Sequence, residues 1–282
     1  MLVAGVFFVA VTAAVKHVGD RLPAAETAFL RYLLGLVFLV PLFGTLRRAR
    51  IDRATVRIYA GRGLVHGLGV ILWFYAMTRI PLAEVTAMNY LSPVWVSIGA
   101  VVFLGERMGW PRICAIIGAL AGVAIILRPG FRAVDPGHVA MLGAAILLAG
   151  SYLLAKRLSD TQSPALVVTM LSIFTTIALA PFAAAVWVWP SMGELGWLLV
   201  VGALATSGHY AMTLAFRAAP ITLTQPVTFL QLVWATLVGV LLFAEPLDAG
   251  VIAGGTVIVL SVLVITLREA RLAPKTTPPP TP

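Results

Sequence analysis

Ten apolar stretches divide this chain, each long enough to form a membrane-crossing helix. They cover residues 2–18, 24–44, 61–78, 83–104, 110–127, 137–155, 163–185, 195–216, 221–243 and 249–267. At about 1.5 Å of rise per residue, roughly 20 mostly apolar residues cross the hydrocarbon layer. The alternation that marks a barrel strand is absent. A chain that is 60% hydrophobic and 11% charged has too little polar material to cover a water-soluble domain, where charged residues make up about 25%. The reading is an all-α integral membrane protein. The run from Met1 to Val15 lacks the basic lead of a signal peptide, so it reads as a first spanning helix with little or no cytoplasmic lead.

The net charge of +9 does not point to nucleic acid, because the basic residues lie in short connections between apolar runs. Fourteen Lys and Arg fall on one set of alternate connections: Arg47, Arg48, Arg50, Arg53, Arg57, Arg62, Arg107, Arg112, Lys156, Arg157, Arg217, Arg268, Arg271 and Lys275. The other set holds five: Lys16, Arg21, Arg79, Arg128 and Arg132. Positive charge is retained inside, so both termini and the 45–60 connection are expected in the cytoplasm. Cys114, the one cysteine, lies in an apolar run, and no cofactor or metal is expected.

The chain also repeats itself. Residues 63–106 align on 202–245 without a gap, at an offset of 139, with nine identities in 44 positions. These include Gly63/Gly202, Gly69/Gly208, Pro81/Pro220, Trp95/Trp234 and Glu106/Glu245. Each half holds five spans, an odd number, so the second half would enter the membrane from the opposite face. Two inverted five-helix repeats around a central cavity are the signature of alternating access. The halves are read as 1–130 and 137–269, followed by a Pro-rich, disordered cytoplasmic tail at 270–282.

The stretch from Tyr75 to Pro81-Leu-Ala, then Leu91-Ser-Pro93-Val, Phe103-Leu-Gly-Glu106-Arg, and Gly118 to Pro129-Gly130 resembles an EamA domain. That family belongs to the drug/metabolite transporter superfamily. The second half repeats the pattern with His209-Tyr210, Ala215 to Pro220, Gln231-Leu-Val233, Gly239 and Phe243-Ala-Glu245. Lys16, Pro23, Phe29 and Arg31 also fit. The resemblance implies a ten-helix bundle whose cavity is lined by the first, third, fourth, sixth, eighth and ninth spans. It implies transport of a small metabolite such as an amino acid, nucleoside or vitamin. Two positions depart from the family pattern: Glu84, usually small, and Ala244, where glycine often precedes the glutamate.

Polar side chains inside a bilayer are costly and tend to face a cavity. On the fourth span Thr86, Asn89, Tyr90 and Pro93 follow helical spacing on one face. Their repeat counterparts on the ninth span are Gln225, Thr228, Phe229 and Leu232. These two stripes form a candidate solute site, with interhelical hydrogen bonding as the alternative. His66 and His209 lie one turn apart in repeat register and are candidates either for carrying a coupling proton or for a satisfied interior role. Trp73, Tyr75, Tyr152 and Tyr210 are candidate stacking surfaces or interfacial anchors.

Glu84 is read as a gate or as the partner of Arg79. Lys16, Glu26 and Arg31 are read as a cluster near the outer ends of the first two spans, with Arg31 structural or binding a substrate carboxylate. Glu106 and Glu245 end equivalent spans, where a carboxylate opposes the helix dipole. They therefore call for partners such as amides at the start of the next helix, and are read as structural or gating residues. Gly63/Gly67, Gly118/Gly122 and Gly250/Gly254 allow close helix approach, leaving monomer and homodimer both open.

An enzyme is disfavoured. The five aspartates (Asp20, Asp52, Asp135, Asp160 and Asp248) lie in connections or at helix ends, and neither HExxH nor GxxxxGK[ST] occurs. Ser207 and His209 on one helix point roughly 200° apart. The expectation is a carrier in the cytoplasmic membrane whose partners are a small solute and the lipid. A passive channel is the alternative.

Overall fold

The computed structural model describes residues 2–42, 44, 51–104, 109–131, 133–159, 161–218 and 230–272. Among these residues the protein is all helical. We label the helices α1 (Leu2–Val18), α2 (Ala24–Gly35), α3 (Arg53–Arg79), α4 (Leu82–Asn89), α5 (Ser92–Leu104), α6 (Trp110–Leu127), α7 (Pro136–Ser159), α8 (Pro164–Ala185), α9 (Met192–Ala218), α10 (Leu230–Phe243) and α11 (Ala249–Leu272). A 3-10 segment, Leu36–Leu42, continues α2.

Four helical segments are long and apolar enough by themselves to cross a membrane: Trp110–Leu127, Pro136–Ala155, Ala165–Ala185 and Met192–Met212. Leu2–Val18, Leu230–Phe243 and Ala249–Val264 are apolar but shorter. Two helices differ from the sequence expectation for identifiable reasons. α3 begins at Arg53, well before the apolar run, because the Asp52 side chain accepts the Thr55 amide at 3.1 Å and caps the helix. Its 27 residues make a rod about 40 Å long. Arg62, counted above with the connections, is thereby inside a helix. The fourth span is broken in two. Pro93 has no N–H for the Asn89 carbonyl, and the Tyr90 and Leu91 amides turn instead to Ala87 (3.2 Å) and Met88 (3.1 Å).

The halves interlock. α3 packs along α7 and α8, while α1 packs along α9 and α10; α2 lies against α8 and α9, α4 against α10 and α11, and α6 against α11. In lipid, apolar side chains gain little by leaving the hydrocarbon, so helices associate through close van der Waals fit at small residues. The glycines show this. A Cβ on Gly122 would meet the Gly254 carbonyl oxygen at 2.7 Å, and one on Gly254 would meet the Gly122 carbonyl oxygen at 2.4 Å. A Cβ on Gly63 would lie 2.7 Å from the Phe174 backbone, and one on Gly67 would lie 3.0 Å from Leu179. The GxxxG glycines thus serve packing within the chain. Large apolar side chains left on the outside, such as Val102, Ile117, Leu241 and Leu260, suit a lipid surround.

Several of these contacts recur at the repeat offset. Gly63 packs on Phe174, and Gly202 packs on Gly35; adding 139 to one member of each pair and subtracting it from the other interconverts them. Gly69 packs on Leu147 as Gly208 packs on Phe8, by the same rule.

Candidate functional site

Five connections are tied together at one end of the bundle. Lys16, at the end of α1, pairs with Glu245 after α10, and also donates to the Ile80 carbonyl at 3.2 Å. The Glu245 carboxylate accepts the Leu82 amide at the start of α4, at 2.9 Å. Arg21 pairs with Glu194, and Arg128 with Asp248. The Val188 amide donates to Glu26 at 2.8 Å. A cleft of about 270 Å³ opens at this end, lined by Val15, Asp20, Thr27, Tyr75 and Arg79 among others.

Glu245 does take a helix-start amide, but that of Leu82 on α4 in the other half of the chain and not one at the start of the next helix, α11. The anticipated cluster of Lys16, Glu26 and Arg31 is not found, since each takes a different neighbour. Arg31 is turned inward instead, its guanidinium 3.9 Å from the centroid of the Tyr32 ring.

Glu84 also departs from expectation. It is 1% exposed and meets His138, 4% exposed, at 2.5 Å. Arg79 lies over the Tyr75 ring at 4.8 Å. Burial is what selects the imidazole as partner, because Arg79 is at the surface while His138 enters the protein with the first turn of α7. Asp135 shapes that turn by accepting the Gly137 amide at 2.6 Å.

Deeper in, polar side chains from four helices converge. His66 of α3 is held on both ring nitrogens, by the Tyr32 hydroxyl of α2 at 2.7 Å and the Ser151 hydroxyl of α7 at 3.1 Å. Arg62 lies one turn before His66 on α3, and α9 contributes His209. His209 meets Phe8 of α1 edge-on, with ring centroids 5.2 Å apart. Tyr152 is 42% exposed.

Arg31 is 8% exposed and Arg62 7%. Arg62 donates to the Val167 carbonyl at 3.3 Å, while its Nε is buried with no hydrogen-bond partner. No carboxylate lies within ion-pair distance of either arginine among the described residues. Charged side chains within membrane segments are costly and tend to face the interior or a cavity, so these two buried arginines make this region the candidate site.

On α4, Thr86 is buried and the Asn89 Oδ1 is buried without a partner. Tyr90 is buried beside them. The break at Tyr90 interrupts the single face anticipated for Thr86, Asn89, Tyr90 and Pro93. Trp73 packs partly buried against the main core, its Nε1 unpartnered. Gln225, Thr228 and Glu106 lie outside the described residues.

Sequence reasoning missed Arg62, Tyr32, Ser151 and His138. Asp52 at cap distance from Thr55 was the available signal for Arg62, since a helix starting there carries Arg62 to its third turn.

Comparison with known proteins places this architecture. The chain matches the EamA-like transporter family over residues 1–128 and 135–267. It belongs to that family. Curated relatives of this EamA protein include an S-adenosylmethionine uptake transporter of Rickettsia conorii, 27% identical over 91% of this chain and 87% of the relative. The riboflavin transporter of Vibrio cholerae is 28% identical, covering 96% and 93%. The pseudopaline exporter of Pseudomonas aeruginosa is 28% identical, covering 92% of each chain. A solved crystal structure shares the fold, with a TM-score of 0.62 at 19% identity over 96% of this chain and 97% of that one. The EamA protein is thus a multi-pass membrane protein whose relatives are transporters.

Proposed function

We propose that this protein is a secondary carrier moving a small metabolite across the cytoplasmic membrane by alternating access. The observation that carries the reading is the recurrence of contacts between the halves. Gly63 on Phe174 answers to Gly202 on Gly35, and Gly69 on Leu147 to Gly208 on Phe8. Helices docked by equivalent contacts support two five-span units, 1–130 and 137–269, related by a pseudo-twofold axis. An odd number of spans per unit makes them inverted. Such a pair has two mirror-related shapes of similar energy, one open to each side.

The charge bias supports a tied end facing outward, with both chain termini in the cytoplasm. On this reading the Lys16–Glu245–Leu82 link closes the outer side. Glu106, whose counterpart is Glu245, would close the inner side against the start of the ninth span. Arg31, Tyr32, Arg62, His66, Tyr152 and His209 line the solute site, together with Thr86, Asn89, Tyr90, Trp73, Gln225 and Thr228. The hydroxyl partners on both nitrogens of His66 favour a positioning role over proton transfer. The GxxxG pairs used within the chain favour a monomer.

The relatives' names span S-adenosylmethionine, riboflavin and pseudopaline, and include both uptake and export. They support an organic metabolite without fixing its identity or direction. Counterflow in proteoliposomes tests the mechanism. A carrier gives saturable uptake stimulated by unlabelled solute on the far side; flux without that stimulation would make the protein a pore.

A further inference from the structure

The two interior arginines raise a question of charge balance that the acidic side chains among the described residues do not answer. Every acidic side chain found paired has another partner. Glu84 is held by His138, Glu245 by Lys16 and the Leu82 amide, Glu194 by Arg21, and Asp248 by Arg128. Glu26, buried at the tied end, accepts the Val188 amide through Oε2 while its Oε1 has no hydrogen-bond partner, and it is not within ion-pair distance of either arginine. Arg31 and Arg62 nevertheless sit 8% and 7% exposed, on helices read as spanning the membrane.

They act on one locus. Arg62 lies one turn before His66 on α3, and the Tyr32 ring lies beneath Arg31 while its hydroxyl holds His66. Arg62 has spent one donor on the Val167 carbonyl, and its buried Nε has spent none. A guanidinium presents a planar fork of donors matched to carboxylate and phosphate oxygens. In a low-dielectric interior, cations facing no acid attract whatever anion can enter.

We propose that the solute site recognises an anion, a metabolite bearing a carboxylate or phosphate group that Arg31 and Arg62 bind from two sides. This rests on the carrier reading, which supplies the route by which a solute reaches the site. Because the arginines are buried, the anion is a diffusing solute and not a lipid headgroup.

The test uses the intact protein in phosphatidylcholine nanodiscs and a thermal-shift library of metabolites spanning anions, neutral compounds and cations. The strongest stabilisers are expected to be anions. The methyl ester of a stabilising carboxylic acid, or the dephosphorylated form of a phosphate, is expected to bind at least tenfold more weakly to the wild-type protein. Arg31→Gln and Arg62→Gln are expected to weaken the acid at least tenfold, with Arg31→Lys and Arg62→Lys falling between. Strongest stabilisers that are neutral or cationic, or an ester binding as well as its acid, would overturn the proposal without any variant. So would stabilisation by phosphatidylglycerol nanodiscs that added acid fails to displace. Counterflow separates the two readings. Transport of a neutral ligand leaves the carrier and removes the anion site; an acid that binds through both arginines but shows no counterflow does the reverse.

Discussion

Glu245 accepts the Leu82 amide at 2.9 Å, joining the end of α10 to the start of α4 across the two halves of the chain. Leu82 opens a helix behind Pro81, so its N–H has no partner within α4, and a carboxylate at that helix start is favoured by the dipole. Lys16 adds a charge to the same carboxylate. Glu245→Ala is expected to cost about 2 kcal/mol, in the range of hydrogen bonds to charged groups. Glu245→Gln, which still accepts the amide, should lose less. Unfolding in mixed micelles measures the stability. Thiol labelling of a cysteine placed at Asp20 should become faster in Glu245→Ala if the link closes this end.

Glu84 and His138 meet in a buried position 54 residues apart in sequence. Removing one partner takes from the other its close buried contact, at a cost of up to about 3–5 kcal/mol for a buried pair. Glu84→Leu and His138→Leu should therefore each destabilise strongly. The double variant should cost less than the sum, with a coupling of about 1–3 kcal/mol in a double-mutant cycle.

Ala244 has φ of 51° and occupies the left-handed position that ends α10, with the Glu245 amide reaching back to the Gly239 carbonyl at 3.0 Å. This is the helix-ending turn that favours glycine. The departure from the family pattern at this position is thus a local strain. Ala244→Gly should stabilise by about 0.5–1 kcal/mol, the left-handed penalty less glycine's entropy, measured by the same unfolding.

Gly122 and Gly254 place backbone against backbone, so neither neighbour can yield to a side chain. Gly122→Ala, whose Cβ would meet the Gly254 oxygen at 2.7 Å and Ile258 Cγ1 at 2.7 Å, should cost about 1–3 kcal/mol. The loss should appear as reduced folded protein, with no change in oligomer size by mass photometry.

Two carboxyls at helix starts give a pH dependence. The Thr55 side chain and amide hold Asp52 below the ordinary carboxylate value of 3.8. Burial pushes Asp248 up, but Arg128 and the Gly250 and Val251 amides outweigh it and hold it below 3.8. A group lowered by folding stabilises above its unfolded value and loses that contribution as pH falls through its folded one. Stability should hold from neutrality down to about pH 4 and then fall. An Asp52→Asn, Asp248→Asn variant should show a shallower fall.

Most of the helices were legible because apolar runs report them, and Pro81 and Pro93 announce where the chain turns or breaks. Glu245 was legible as a residue in need of an amide, though not which amide, since Leu82 comes from the other half of the chain. Arg62 was hidden by its neighbours: five arginines between residues 47 and 57 look like a connection, and only the Asp52 cap shows the helix has begun. His138 was hidden by distance, because nothing local in an apolar run distinguishes a lone histidine from one facing Glu84.

The central claim is that the two halves exchange one closed end for the other. Spin labels at positions 83 and 246 would span the Glu245–Leu82 link, and labels at their repeat counterparts, 222 and 107, would span the equivalent link at the other end. Pulsed electron–electron resonance on both pairs, with and without a transported solute, should show one distance lengthening as the other shortens. Distances that stay fixed, or that lengthen together, would contradict the account.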